Sequence, residues 1–159
     1  MTNLKFAAIA ALSFATIALA TITLAEEQEK KIQRADLPAA VEKTVAAQSQ
    51  GATIKGFSQE KENGQINYEA EMMVSGHSKD VLIDSSGAVV EVEEQVALDS
   101  LPAPVKDALQ TKAGAGKIAK VESITKHDKL VAYEAVVQTG GKKKEIQVGP
   151  DGKPLDHEE

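Results

Sequence analysis

The feature that most constrains the fold of this chain is an internal repeat. Residues 37–41 (Leu-Pro-Ala-Ala-Val) recur at 101–105 as Leu-Pro-Ala-Pro-Val, a displacement of 64 residues. One extra residue then changes the displacement to 65, which aligns Tyr-Glu-Ala at 68–70 with Tyr-Glu-Ala at 133–135 and holds from there onward. The sequence is therefore interpreted as a duplication, in which two copies of one supersecondary unit fold in the same way.

Each copy begins with the pattern of an amphipathic helix. Asp36 and Ser100 stand where an N-cap oxygen is favoured, and Pro38 and Pro102 are compatible with a first helical turn. Apolar residues then recur at every fourth position, which places them on one face of each predicted helix: Leu37, Val41 and Val45 in the first copy, and Leu101, Val105 and Leu109 in the second.

Four short strands are predicted after each helix. Between Ile66 and Val74 apolar and polar residues alternate, which is the period of a strand with one buried face. Gly76 and Gly87 mark turns between the strands that follow. The predicted fold class is therefore α+β: two tandem repeats, each one helix packed on a four-stranded antiparallel meander sheet whose other face is wet.

The chain opens with a segment that is typical of export. Lys5 precedes an uncharged run rich in Ala and Leu, small residues near the end of that run suit signal-peptidase cleavage, and Glu26 follows. An uncleaved membrane anchor is the alternative, because the run has about the 20 residues that a spanning helix needs. The mature protein is expected to be periplasmic or secreted. The predicted division is a signal peptide at 1–25, a charged linker at 26–35, repeat 1 at 36–95, a linker at 96–99 and repeat 2 at 100–159.

Taken together, the helix, strand and turn positions resemble the PepSY-like family. The resemblance covers nearly all of the chain after about residue 36. It implies a fold related to that of the beta-lactamase inhibitor protein and, because related modules occur in propeptides of thermolysin-type peptidases, a role in restraining a peptidase. Its motifs are core and turn positions, so no functional residue transfers with them: Leu37, Pro38, Tyr68, Gly76, Val81, Ile83 and Gly87, then Leu101, Pro102, Tyr133, Gly141, Ile146, Val148 and Gly152.

Composition and motifs argue against several classes of function. The net charge of −6 disfavours nucleic acid as a general partner, and the absence of cysteine excludes disulfides and a cysteine nucleophile. No serine lies in a Gly-x-Ser-x-Gly setting, and His77, His127 and His157 lack the spacing of metal ligands. The turn at 84–87 lacks the downstream Glu of a calcium loop. We therefore predict no catalytic residue, no metal site and no cofactor.

The uneven distribution of charge points to a binding surface. Residues 36–95 hold 11 acidic and 4 basic side chains, whereas residues 100–159 hold 9 acidic and 10 basic ones, with three consecutive lysines at 142–144. Drift between the two copies, with a benefit to solubility, is the alternative explanation. Strand alternation places the candidate binding residues on the sheet face away from the helix: Glu69, Glu71, Asp80, Glu91 and Glu93, and Glu134 in the second repeat.

These features favour a protein that binds another macromolecule. The predicted function is that of an exported, non-enzymatic protein-binding module of PepSY-like type, which restrains a peptidase or another envelope protein. The alternative is a periplasmic small-ligand or divalent-cation binding protein that uses the acidic sheet face. The expected partner is a protein rather than nucleic acid, and the membrane is involved only through the signal segment before cleavage.

Overall fold

The computed structural model of the protein describes residues 28–62, 64–157 and 159. The predicted signal peptide and the beginning of the predicted charged linker lie outside the described residues. Within the described part of the chain, no helix is both long enough and apolar enough to cross a membrane.

The described residues form one antiparallel sheet of eight strands and two α-helices. The strands lie across the sheet in chain order, so each pairs with its neighbours in sequence. Two 3-10 helices, Arg34–Asp36 and Leu98–Ser100, each precede an α-helix. The bounds are β1 Gln28–Ile32, α1 Ala39–Gln48, β2 Ala52–Glu62, β3 Gln65–Val74, β4 His77–Asp84, β5 Val89–Gln95, α2 Ala103–Ala113, β6 Lys117–Lys126, β7 Lys129–Thr139 and β8 Lys142–Val148.

The predicted fold class is wrong. The fold is mostly β, with one continuous eight-stranded sheet, rather than two repeats that each have a four-stranded sheet. Strands β5 and β6 pair from Glu91 with Lys126 to Gln95 with Glu122. Two separate sheets would have left the backbone N–H and C=O groups of these edge strands unpaired, and the pairing satisfies them. Four strands follow α1 but three follow α2, and β1, which lies in the predicted linker, adds the eighth strand at the opposite edge.

Both helices begin after a proline rather than at the predicted N-cap residues. Leu37 and Leu101 have extended backbones, as is favoured for a residue that precedes proline. The helices therefore start with Pro38 and Pro102 as N-caps, without a capping side chain. Asp36 instead accepts a 2.9 Å hydrogen bond from the Gln33 backbone N–H in the preceding 3-10 turn.

The core lies between the helices and one face of the sheet. Val41 and Val45 of α1 pack against apolar residues of β2 to β4, and Val105 and Leu109 of α2 pack against β6 to β8. Val41 and Val105 are both 0% exposed. The predicted stripes are thereby confirmed for these four residues, whereas Leu37 and Leu101 pack on the same clusters from the segments before the helices.

The opposite face of the sheet, which no described helix covers, is here named the helix-free face. It was predicted to be wet, yet several of its side chains are buried: Ser58, Glu122, Ile124 and Ala132. Irregular pairing at four places, including one between Ile54 and Gly56, bends and twists the sheet. On such a surface long side chains from adjacent strands cover one another, so the helix-free face is a half-buried polar layer rather than a solvated one.

Candidate functional site

Strand register places the six predicted binding residues on the helix-free face. Glu69 of β3 lies opposite Leu82 of β4, which lies opposite Glu91 of β5. In the adjacent row, Glu71, Asp80 and Glu93 lie opposite one another on the same three strands. Five of the six residues therefore form one compact group. Each of the five is partly buried rather than fully exposed.

The sixth predicted residue, Glu134, lies apart from the other five on β7. Its cross-strand neighbours on the helix-free face are Glu122 of β6 and Gln147 of β8. Gln147 donates a 2.9 Å hydrogen bond from Nε2 to Glu134, and it also bonds the backbone of Glu159. Burial raises the pKa of Glu134, although the Gln147 hydrogen bond lowers it in part. Glu134 therefore belongs to a hydrogen-bonded layer that Glu159 covers.

Side chains of neighbouring strands hold the outer carboxylates of the group. The Ser58 hydroxyl donates a 2.7 Å hydrogen bond to Glu69, and Lys126 lies 3.7 Å from a carboxylate oxygen of Glu91. Lys31 of β1 contacts Glu71, and its hydrogen bonds to Glu71 and Glu29 raise the pKa of its ammonium group. These contacts hold the three carboxylates in fixed positions.

A small cavity opens among these carboxylates. Its volume is about 120 Å³, and five of its six lining residues are acidic: Glu60, Glu69, Asp80, Glu91 and Glu93, with Leu82. A guanidinium or ammonium group has the charge that this lining complements. The cavity is therefore a feature of the helix-free face that a basic side chain would match.

Next to the cavity, three carboxyl groups meet where β4, β5 and β6 join. Oxygens of Asp80, Glu93 and Glu122 all lie within 4.8 Å of one another. Glu122 is 2% exposed, and its two oxygens accept a 3.0 Å hydrogen bond from Ser78 and face the Lys120 ammonium at 2.6 Å. We refer to Asp80, Glu93 and Glu122 as the carboxyl cluster.

Burial and mutual repulsion keep protons on the carboxyl cluster. The pKa of Glu93 is raised to about 8. Burial is the largest cause of this shift, and the negative charges of Glu122 and of further carboxylates add to it. Burial and the neighbouring carboxylates of Glu69 and Glu122 raise the pKa of Asp80 to about 6. Near neutral pH the cluster therefore holds a proton on Glu93 while Asp80 is mostly ionised.

Sequence reasoning missed Glu122, the most buried member of the carboxyl cluster. The alternation of Lys120, Glu122 and Ile124 does predict that these side chains share one strand face. Because each repeat was expected to form its own sheet, β6 was not placed beside β5, and Glu122 was not brought near Glu93. The pairing of the two strands supplies the missing neighbour.

Two other sequence features have a structural outcome. The Asp84 carboxylate accepts hydrogen bonds from the backbone N–H groups of Ser86 and Ala88 and from the Ser86 hydroxyl, so this segment is the plain turn that was predicted. Lys143 and Lys144 line an open cavity of about 560 Å³ at the start of β8, together with Lys120 and Glu145. The described helix-free face is therefore acidic over β3 to β5 and basic at one corner.

Comparison with known proteins relates the chain to solved structures alone. No protein-family model matches the chain, so the resemblance to the PepSY-like family is not supported by a family match. No curated protein sequence matches the chain either. A BLIP-like protein from Bacteroides fragilis, a name that refers to the beta-lactamase inhibitor protein, matches 77% of this chain and 85% of its own at 20% identity and a TM-score of 0.55.

Two further structures match to a similar extent. A protein from Bacteroides eggerthii, provisionally described as periplasmic, matches 74% of this chain and 84% of its own chain, at 18% identity and a TM-score of 0.59. A DUF2874 family protein from Bacteroides ovatus matches 76% of this chain and 85% of its own chain, at 20% identity and a TM-score of 0.57. At such identities the likeness concerns the backbone. The chain therefore has the fold of these BLIP-like and DUF2874 family proteins.

Proposed function

We propose that the chain is an exported, non-enzymatic protein-binding module whose docking surface is the helix-free face. The observation that carries this proposal is the group of five partly buried carboxylates on β3 to β5, four of which line a cavity on a sheet face that no described helix covers. The fold likeness to a BLIP-like protein supports the role of binding module. Export is supported by the N-terminal sequence pattern and by the periplasmic name of one structural neighbour.

The partner that best fits this face is a protein with a basic surface. Five acidic residues line the cavity, and basic side chains would gain charge-assisted hydrogen bonds there. A peptidase or another envelope protein is the class of partner that follows from the sequence resemblance. The cavity lining consists of carboxylates and a leucine. The serine and the lysine beside it, Ser58 and Lys126, are engaged with Glu69 and Glu91, so neither stands ready as a nucleophile or a base. For this reason we favour docking over catalysis.

Divalent-cation binding is the second candidate, and the close approach of the carboxyl cluster favours it. Oxygen ligands at such separations suit Ca²⁺. Against it, Lys120 and Ser78 already occupy the oxygens of Glu122. A calcium titration followed by thermal melting distinguishes the candidates, because a cation that binds the folded protein specifically raises its melting temperature as the cation concentration increases. A rise that Glu122→Gln abolishes would favour the cation over the protein partner.

The docking proposal is tested by removing three negative charges from the helix-free face and, in a matched control, three from elsewhere on the protein. The test variant combines Glu69→Gln, Glu71→Gln and Glu91→Gln. The control variant removes the same charge on the helix side of β5 and around α2, with Glu94→Gln, Asp99→Asn and Asp107→Asn.

Immobilised wild-type and control protein should capture the same partner from an envelope extract, and the test variant should capture at least tenfold less of it. The difference should shrink as salt rises, because exposed charges are screened. Hydrogen exchange of the captured complex should show protection of β3 to β5. Equal capture by the test variant, or protection confined to the helices, would contradict docking on the helix-free face.

A further inference from the structure

The carboxyl cluster lies in the wall of the proposed docking surface. Asp80 and Glu93 belong both to the cluster and to the acidic lining of the 120 Å³ cavity. Glu122 lies behind them, nearly inaccessible to water. Three carboxyl groups this close cannot all ionise without strong repulsion, and one lysine, Lys120, faces them.

The remaining charged groups around the cluster come from every strand of the helix-free face. Additional negative charge comes from Glu60 of β2, Glu69 and Glu71 of β3, Glu91 of β5, Glu134 of β7 and Glu145 of β8. Positive charge comes from three lysines that already have carboxylate partners: Lys31 on Glu71, Lys120 on Glu122 and Lys126 on Glu91 and Glu159. Acidic groups therefore outnumber basic ones around Asp80 and Glu93, and protons compensate for the difference.

We propose that docking of a basic protein partner on the helix-free face is linked to the release of protons from the carboxyl cluster. The inference rests on the proposed function and describes its regulation. A partner cation seated in the cavity would lie beside Asp80 and Glu93, and it would favour their ionised forms. Because linkage is reciprocal, a ligand that expels protons binds more tightly when the proton concentration falls. The docking surface thus responds to pH around neutrality.

The direction of the effect on folding is opposite to its direction on docking. Burial raises the pKa of Glu93 above the ordinary value near 4.5 to about 8, so the folded protein retains a proton that the unfolded chain loses. Stability from this group is full below about pH 4.5 and is lost as pH rises to about 8. Asp80 acts in the same sense between about pH 4 and pH 6. Rising pH should therefore weaken the fold while it strengthens the docking of a cationic partner.

Isothermal titration with decalysine, a basic probe of defined composition, tests the linkage. Titrations at pH 7 and low salt, in two buffers with different ionisation enthalpies, report the number of protons released on binding. The variants are Glu93→Gln and, as a matched control, Glu94→Gln on the opposite face of the same strand, where Glu94 pairs with Lys79. A second variant, Asp80→Asn, covers the case in which Glu93→Gln fails to fold: removal of the Asp80 charge lowers the pKa of Glu93, so fewer protons should be released than from wild type.

Wild type and Glu94→Gln should release protons, and Glu93→Gln should release at most half as many. If decalysine lowers the pKa of Glu93 by about one unit, its affinity should rise about tenfold between pH 6 and pH 8.5 in excess of the rise for Glu93→Gln. Binding to wild type without proton release would overturn the linkage while leaving the docking proposal standing. Failure of decalysine to bind at all would contradict the basic partner itself.

Thermal melting tests the cluster without any ligand. The melting temperature of wild type and of Glu94→Gln should fall between pH 5 and pH 8, and that of Glu93→Gln should fall less over the same interval. A pH profile for Glu93→Gln that runs parallel to that of wild type would show that Glu93 does not hold the proton, and the inference would then be wrong.

Discussion

At the scale of single residues, two turn glycines make the tightest contacts with the helices. A Cβ atom on Gly87 would lie 2.7 Å from the Ala40 carbonyl oxygen at the start of α1, and one on Gly152 would lie 2.4 Å from the Pro104 carbonyl oxygen at the start of α2. Thr44 adds a 2.6 Å hydrogen bond to the Gly87 carbonyl. Both glycines have positive φ angles, of 89° and 80°. Each helix is thus seated directly on the backbone of a turn.

Gly87→Ala should therefore destabilise the protein more than Gly76→Ala does. Gly76 has nearly the same φ angle, 88°, but nothing lies within 4 Å of its would-be Cβ. Gly76→Ala should cost about 1 kcal/mol for the backbone conformation alone, and Gly87→Ala roughly 2–4 kcal/mol because α1 must also move. Urea unfolding of both variants measures the difference. Equal losses would show that the contact with Ala40 relaxes without cost.

At the scale of elements, strand β8 at one edge of the sheet carries charges that resist pairing with other chains. Strand β8 exposes Lys142, Lys143 and Lys144 along its first half. Lysines on an edge strand oppose pairing with the edge strand of another chain, because pairing would remove water from their charged ammonium groups. The three consecutive lysines at 142–144 therefore have a structural role in protecting this edge.

Replacing Lys143 and Lys144 by threonine should promote self-association through β8. Threonine keeps the preference for a strand while removing the charge. The control, Lys117→Thr with Lys129→Thr, removes two exposed lysines from the interior strands β6 and β7. Light scattering after size-exclusion chromatography should detect dimers or larger species for the β8 variant alone. A monomeric β8 variant at millimolar concentration would mean that other features protect this edge.

Sequence patterns predicted the faces of the strands but not the partners across the middle of the sheet. The alternation from Ile66 to Val74 correctly separates buried Ala70 and Met72 from Glu69 and Glu71. The alternation of apolar and polar residues does not say which strand lies next to β5. The neighbour of β5 depends on which other strands have a free edge for pairing. The carboxyl cluster was missed for this reason, as were β1 and the shared sheet.

At the scale of the whole molecule, pairing of β5 with β6 joins the two halves into one sheet. Each half has its own apolar cluster under its own helix, but the strands between them share backbone hydrogen bonds. Loss of either cluster would expose the edge of the other half. We therefore expect the halves to unfold together.

The two tyrosines allow this to be measured, because the chain has no tryptophan and one tyrosine lies in each half. Tyr68 lies on β3 and Tyr133 on β7, and each packs against the apolar cluster of its half. Tyr133→Phe leaves fluorescence from the first half alone, and Tyr68→Phe leaves it from the second. After correction for the effect of each substitution, measured by circular dichroism, both probes should give the same urea midpoint. Midpoints that differ would show that the halves unfold independently.

The order of strands also has a consequence for how the chain folds. Every strand pairs with the strand before it in sequence, and the two longer connections each hold a helix. Contacts between residues close in sequence form quickly, because little loop entropy is lost in closing them. A chain that is made N-terminus first can therefore add one strand at a time to a growing edge. Each new strand covers the edge left by the previous one, which shortens the time in which an unpaired strand is open to aggregation.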